Sequence, residues 1–131
     1  LLEKTLSKRA YLKSGAYLVI EPTEAMTVID VNSGKSIKGK NAEEQFLKIN
    51  IEAAKEIARQ LRLRNISGIV MIDFINMKED AHNQELIKKL AEYVRMDPVR
   101  TTVVDMTKLG LVELTRQKGK RALHEVFSEI K

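Results

Sequence analysis

Hydrophobic and polar residues alternate along the first part of the chain with the two-residue period of β-strands. The segments YLVIEP (17–22) and AMTVIDVN (25–32) flank a short turn and predict a β-hairpin. From residue 42 the apolar residues recur every three or four positions, which predicts a helix over 42–65. Asn41 is the predicted N-cap of this helix, and Glu44 completes the pattern of a capping box.

The second half of the chain contains further strand and helix patterns. The segment GIVMIDFIN (68–76) is apolar at odd and even positions alike, which predicts a central strand covered on both faces. A helix is predicted over 78–96, strands over 100–106 and 109–116, and a last helix from Lys120. The order ββαβαββα predicts the α/β class, with a layered mixed β-sheet and flanking helices.

Two aspartates, Asp30 and Asp73, lie late in these apolar strands. Because a helix joins the strands, they should run parallel, with their C-terminal ends at the same edge of the sheet. Two carboxylates brought together repel unless one takes up a proton or a cation binds, and a hard ion such as Mg²⁺ prefers oxygen ligands. Asn32 shares the face of Asp30. It is predicted either to accept a hydrogen bond from water on the ion or to orient Asp30.

Other interpretations of the same residues stay open. An aspartate at the end of a strand is a common turn or cap residue, and the segment DVNSG has the composition of a turn. Asp105 in VVDM repeats the pattern of an aspartate within an apolar strand. From the residues alone, another Mg²⁺-dependent phosphotransfer or phosphatase domain would also satisfy the pattern.

Composition and charge narrow the class of protein. The 131 residues are 44% hydrophobic and 31% charged, which fits one globular domain or subdomain. The net charge of +5 is compatible with a nucleic-acid partner. Basic residues close to the ends of the aspartate motifs are candidates for contacts with an RNA backbone, with solvated surface charge as the alternative: Lys35, Lys38, Lys40 and Arg116.

Absent residue types exclude several kinds of chemistry for this chain. It contains no cysteine, so disulfides, cysteine zinc sites and thiol nucleophiles are excluded. No apolar run approaches the roughly 20 residues of a membrane span, and we expect a cytoplasmic protein that does not bind membranes. His82 and His124 lie among charged residues on predicted helices and are expected to have ordinary surface or packing roles.

The segments IDVNSGK, EEQFLKINIEAAKEIARQLRLRNISGIVMIDFINM and LGLVELTRQK together resemble the catalytic region of the bacterial ribonuclease E/G family. The resemblance extends in collinear order over roughly residues 14–127. It implies a deoxyribonuclease-I-like subdomain that cuts single-stranded RNA endonucleolytically and leaves 5′-phosphate and 3′-hydroxyl ends. It also implies Mg²⁺ as the cofactor, with Mn²⁺ as a possible substitute.

The resemblance assigns roles to particular residues. The family's two metal-binding aspartates match Asp30 and Asp73, and its supporting asparagine matches Asn32. Asn76 stands where many members have a second aspartate in the motif IDFIDM. That position is not a metal ligand in the family pattern, so only the local charge differs.

Two family features are not found in this sequence. One is the N-terminal RNA-binding OB-fold, and the other is the CPxCxG-type motif whose cysteines bind Zn²⁺ between subunits. We therefore expect residues 1–131 to form a single catalytic subdomain of a longer, homo-oligomeric protein whose partner is single-stranded RNA. The alternative is that the isolated chain is a catalytically silent RNA-binding or assembly module.

Overall fold

A six-stranded mixed β-sheet with two helices on one face accounts for residues 7–118, the part of the chain that the computed structural model describes. The strands lie in the order β1-β2-β3-β4-β6-β5, and only the central pair, β3 and β4, is parallel. The elements are β1 (Arg9–Tyr11), β2 (Tyr17–Pro22), β3 (Thr27–Asn32), α1 (Ala42–Leu63), β4 (Gly68–Asp73), α2 (Asp80–Arg95), β5 (Thr101–Met106) and β6 (Leu111–Arg116).

The predicted hairpin is confirmed as β2 and β3, which pair antiparallel from Tyr17 opposite Asn32 to Pro22 opposite Thr27. Its turn is closed by reciprocal bonds: the Thr23 N–H donates to the Met26 carbonyl at 2.7 Å, and the Met26 N–H donates to Thr23 Oγ1 at 3.1 Å. The hairpin fixes which side chains of β3 face each side of the sheet.

The helix α1 connects β3 to β4 and buries its apolar stripe against the sheet. Ile49, Ala53, Ile57 and Leu61 are buried in the same core as the inward-facing side chains of the central strands. The strands β3 and β4 are parallel, as the sequence predicted, and the structure also makes them direct neighbours. The helix predicted over 78–96 is confirmed as α2, and the strands predicted over 100–106 and 109–116 are confirmed as β5 and β6.

The prediction that both faces of β4 are covered is wrong. Val70 and Ile72 are completely buried on the helix side, but Ile69 is 40% exposed on the other side, and Asp73 is also exposed there. The helices cover one face of the sheet, and the apolar side chains on the other face stay partly in contact with solvent. We refer to this second side as the open face.

Other predictions differ from the structure in detail. The strand β1 was not predicted; it pairs antiparallel with β2 and contributes the buried Ala10 to the core. The predicted capping box does not form, because Asn41 makes no side-chain cap bond to α1. The predicted helix from Lys120 lies outside the described residues. Within residues 7–118, neither helix has the length and apolar character needed to cross a membrane.

Candidate metal centre

The two aspartates singled out in the sequence lie opposite each other in the sheet. Asp30, in β3, is the register partner of Asp73, the last residue of β4. Neighbouring strands are about 4.8 Å apart, and register partners of a parallel pair project to the same face. The buried residues Ile29 and Ile72, which precede them, face the helices, so both carboxylates project from the open face. The structure therefore brings Asp30 and Asp73 together.

The surroundings of Asp30 disfavour its charged form. Partial burial raises the pKa of Asp30, and the nearby charge of Asp73 raises it further. Asn32 opposes this effect, because its Nδ2 donates a hydrogen bond of 3.1 Å to Asp30 Oδ2. Among residues 7–118, no lysine, arginine or histidine forms a salt bridge with either carboxylate. The pair therefore has an unbalanced negative charge.

The donor set fits a hard divalent ion. Two carboxylates with an unbalanced charge attract a cation, and their oxygens are the ligands that Mg²⁺ prefers. Within the described part of the chain, no group of three or more His, Cys, Asp or Glu residues is arranged to hold a metal. Two protein ligands suit Mg²⁺, which keeps several waters, better than Zn²⁺, which usually takes three or four.

The backbone that follows Asp73 is held by a buried asparagine that the sequence analysis missed. Asn50, on α1, is completely buried. Its Nδ2 donates to the Ile75 carbonyl at 2.8 Å, and its Oδ1 accepts the Ile75 N–H at 3.0 Å. A buried amide that satisfies both backbone groups of one residue fixes the path of that segment. The sequence feature that could have indicated this role is a polar residue, Asn50, directly beside Ile49 of the apolar stripe of α1.

A second side chain of α1 holds the same segment further along. The Glu43 carboxylate accepts hydrogen bonds from the N–H groups of Lys78 and Glu79, at 3.1 and 3.0 Å, and lies 2.9 Å from His82 Nδ1. The bond from the Glu79 N–H, followed by that from His82, lowers the pKa of Glu43. Glu43 therefore ties the start of α2 to α1, and His82 has the ordinary structural role that the sequence predicted.

The basic residues predicted near the site fall into two groups. Lys35, Lys38 and Lys40 are exposed in the segment between β3 and α1, which directly follows Asn32. Arg116, by contrast, is 2% exposed, and its Nε donates to Asp97 Oδ2 at 2.8 Å.

The prediction that Arg116 contacts RNA is therefore corrected. Its Nη1 also donates to the Ile66 carbonyl at 2.9 Å and to Asn65 Oδ1 at 3.2 Å. Its Nη2 lies 3.3 Å from Asp97 Oδ1. A guanidinium engaged in this way within the fold cannot also reach a phosphate on the surface. The sequence placed Arg116 near a motif end but gave no sign of its buried partner.

Comparison with known sequences identifies the family of this chain. The model of the family described as "Ribonuclease E/G family" matches residues 1–119, which is most of the chain. The chain belongs to the Ribonuclease E/G family. Because the matched residues contain Asp30, Asn32 and Asp73, the candidate centre lies inside the family region. The resemblance read from the sequence motifs is confirmed.

Individual relatives agree with this assignment. The chain is 44% identical to "Ribonuclease G" of Haemophilus influenzae and 41% identical to "Ribonuclease G" of Escherichia coli K12, over 98% and 96% of its length. It is also 44% identical to "Ribonuclease E" of Nostoc sp. over 98% of its length. The aligned part is 26% of each of the two ribonuclease G sequences and 19% of the ribonuclease E sequence. The chain thus spans about a quarter of the ribonuclease G relatives and about a fifth of the ribonuclease E relative.

Proposed function

We propose that this chain contains the catalytic centre of an endoribonuclease that hydrolyses single-stranded RNA to 5′-phosphate and 3′-hydroxyl ends. The subdomain is of the deoxyribonuclease-I-like type, and the cofactor is Mg²⁺, for which Mn²⁺ can substitute. The observation that carries the proposal is the pairing of Asp30 with Asp73 across two adjacent parallel strands. The family membership of the chain supports ribonuclease chemistry over that of an unrelated phosphatase.

Each residue of the proposed centre has a role that follows from its position. Asp30 and Asp73 hold the ion, which when bound supplies Lewis-acid assistance to hydrolysis of a phosphodiester. Asn32 holds Asp30 by the bond from its Nδ2 and thereby orients the carboxylate. Asn50 acts on the other strand, because it fixes the backbone two residues after Asp73. Neither asparagine needs to touch the substrate to serve this purpose.

The exposed lysines supply the contacts with the RNA backbone in this proposal. Lys35, Lys38 and Lys40 lie in the segment that leaves the site after Asn32, and none of them forms a salt bridge with another described residue. Cationic side chains in such a position attract phosphates, and binding should weaken steeply as salt increases. The proposed substrate therefore crosses the open face beside the two aspartates.

Cleavage of a 5′-labelled single-stranded RNA tests the proposal. We expect the wild-type chain to cut in Mg²⁺, and we expect Asp30→Asn and Asp73→Asn each to lower the rate by about 100-fold or more. Glu24→Gln is the matched control, since Glu24 is an exposed carboxylate in the turn of the hairpin. Equal cutting by the wild type and both aspartate variants would refute the site. Products that end in a cyclic phosphate would refute the proposed chemistry.

Metal binding gives a second measurement that does not depend on activity. Mn²⁺ bound at the centre should broaden the NMR signals of Asp30, Asp73 and their neighbours in the wild type, and Asp30→Asn should weaken this effect. If the chain binds Mn²⁺ in this way but does not cut RNA, the centre is assembled in a silent module. That result would favour the alternative function for the isolated chain.

A further inference from the structure

An arginine and two tyrosines lie on the open face, next to the candidate centre. In the register of the sheet, Tyr11 of β1 is opposite Tyr17 of β2, which is opposite Asn32 of β3. Ala10 and Leu18, the neighbours of the tyrosines along the strands, are buried on the helix side. Side chains alternate along a strand, so both tyrosines project from the open face.

Arg9 belongs to the adjacent row of the sheet. It is opposite Val19, which is opposite Asp30, which in turn is opposite Asp73. The row that contains the aspartates therefore lies beside the row that contains the tyrosines. Diagonal neighbours on adjacent strands are about 7–8 Å apart, and this relation holds between Tyr17 and Asp30.

The three side chains contact one another and leave one aromatic ring accessible. The ring centroids of Tyr11 and Tyr17 are 5.5 Å apart, with 42° between the ring planes. The Arg9 guanidinium carbon lies 4.6 Å from the Tyr17 ring centroid, and Arg9 Nη1 donates to the Tyr11 hydroxyl at 3.4 Å. Tyr17 is thus partly covered by Arg9, whereas Tyr11 is 67% exposed.

The lysine-containing segment approaches the same end of the sheet. Gly34 has φ +78°, and a Cβ on it would collide with the Gly15 carbonyl oxygen, so the chain after β3 packs closely on the turn between β1 and β2. Lys35 directly follows this contact, and Lys13 lies in the turn. Positive charge therefore borders the tyrosines.

We propose that Tyr11, supported by Tyr17 and Arg9, is a stacking site for one base of the single-stranded RNA. The inference rests on the proposed function, because it takes RNA as the ligand and a nucleotide close to the cleaved bond as the one bound. An exposed aromatic ring beside arginine and lysine residues is the combination that holds unpaired bases without regard to their identity. Asn32 connects this site to the centre, since it lies opposite Tyr17 and hydrogen-bonds to Asp30.

A structural role for the tyrosines makes different predictions. An aromatic pair on adjacent strands also stabilises a sheet, and loss of that contact would weaken the pairing of β1 with β2. Such a role does not require the RNA to have a base at any particular position. The two explanations are therefore separated by changing the RNA rather than the protein alone.

The test measures binding of a fluorescein-labelled single-stranded RNA by anisotropy, in EDTA so that the RNA stays intact. We expect Tyr11→Leu to weaken binding by about fivefold or more and Tyr11→Phe to restore it, because phenylalanine keeps the ring. A series of RNAs with one abasic nucleotide each should reveal a position where the wild type loses a similar factor. At that position Tyr11→Leu should cause little further loss. Leu63→Ala, an exposed apolar residue at the end of α1, is the control.

Several results would overturn the stacking site. One is that an abasic nucleotide weakens binding by the same factor in the wild type and in Tyr11→Leu. Another is that no abasic position weakens binding by the wild type. A third is that the wild type does not bind the RNA. Failure of the proposed function is recognised separately. In that case Asp30→Asn would cut RNA in Mg²⁺ as fast as the wild type, whatever the tyrosine variants do.

Discussion

Asp30 and Asp73 have different environments although they are register partners. Asp30 is partly buried, whereas Asp73 is exposed. Burial and the adjacent carboxylate raise the pKa of Asp30 above its ordinary value of 3.8, and the hydrogen bond from Asn32 only partly offsets them. As the pH rises from below 3.8, the unfolded chain loses this proton before the folded protein does. The folded state then binds more protons, and its stability falls as the pH rises.

Removing the charge at position 30 should therefore stabilise the folded protein in the absence of metal. We expect Asp30→Asn to unfold at a higher urea concentration than the wild type at neutral pH, with a difference that disappears below pH 3.8. Glu24→Gln, at an exposed position in a turn, is the control and should change stability by less than about 0.5 kcal/mol. A variant that is less stable than the wild type at neutral pH would contradict the repulsion between the two aspartates.

Single residues also mark where sequence reasoning succeeds and where it fails. Asp30 and Asp73 were predictable, because an aspartate within an apolar strand is unusual and the helix between the strands implies that they meet. Arg116 and Asp97 are 19 positions apart, and no spacing rule predicts that they form a buried pair. The exposure of Tyr11 could not be predicted either, since it depends on the unpredicted strand β1 and on the absence of a second helical layer within residues 7–118.

At the level of elements, α1 organises both sides of the candidate centre. Its Glu52 carboxylate accepts bonds from the Ser14 N–H and hydroxyl, at 3.2 and 2.6 Å, and so holds the turn between β1 and β2. Its Asn50 and Glu43 hold the segment after β4. The apolar period of α1 predicted the helix correctly. Its polar contacts could not be predicted, because they depend on which loops come close in three dimensions.

Asn50→Ala should destabilise the protein and loosen the segment after Asp73. The change removes two hydrogen bonds and leaves the partly buried backbone groups of Ile75 without their partners, so we expect a loss of about 2–3 kcal/mol in the free energy of unfolding. Hydrogen exchange should show faster exchange of the Ile75 amide. Gln45→Ala, at an exposed position on the same helix, should change stability by less than about 0.5 kcal/mol. Unchanged protection of Ile75 would refute this role.

In the molecule as a whole, the residues that form the core and the residues of the proposed site lie on opposite faces of the sheet. The helices and the inward faces of the strands form one continuous core, while the aspartates and tyrosines project from the opposite face. The alternation of apolar residues predicted the strands, but it did not predict that one face would stay open. Ile69 and Met71 gave β4 the apolar pattern of a doubly covered strand, although this face is uncovered among the described residues.

The buried pair of Asp97 and Arg116 lies at the far end of β6, away from the residue that pairs with Asp73. It links the segment after α2 to the last strand and, through Ile66, to the segment after α1. Burial alone would raise the pKa of Asp97, but the hydrogen bond from Arg116, together with that from the Val99 N–H, holds it below the ordinary value of 3.8. This pair therefore stabilises the folded protein above pH 3.8, and the contribution is lost as the pH falls through the lowered pKa.

Asp97→Asn should test this link between three parts of the fold without changing the candidate centre. The variant leaves the Arg116 charge buried without a counter-ion, and we expect a loss of about 3 kcal/mol in the free energy of unfolding at neutral pH. The loss should shrink in acid, where the wild-type carboxylate is itself protonated. Asp105→Asn, at an exposed position on β5, should change stability by less than about 0.5 kcal/mol. Because the pair is remote from Asp30 and Asp73, the folded variant should bind Mn²⁺ as the wild type does. Weaker Mn²⁺ binding by the folded variant would show that stability and the metal centre are coupled after all.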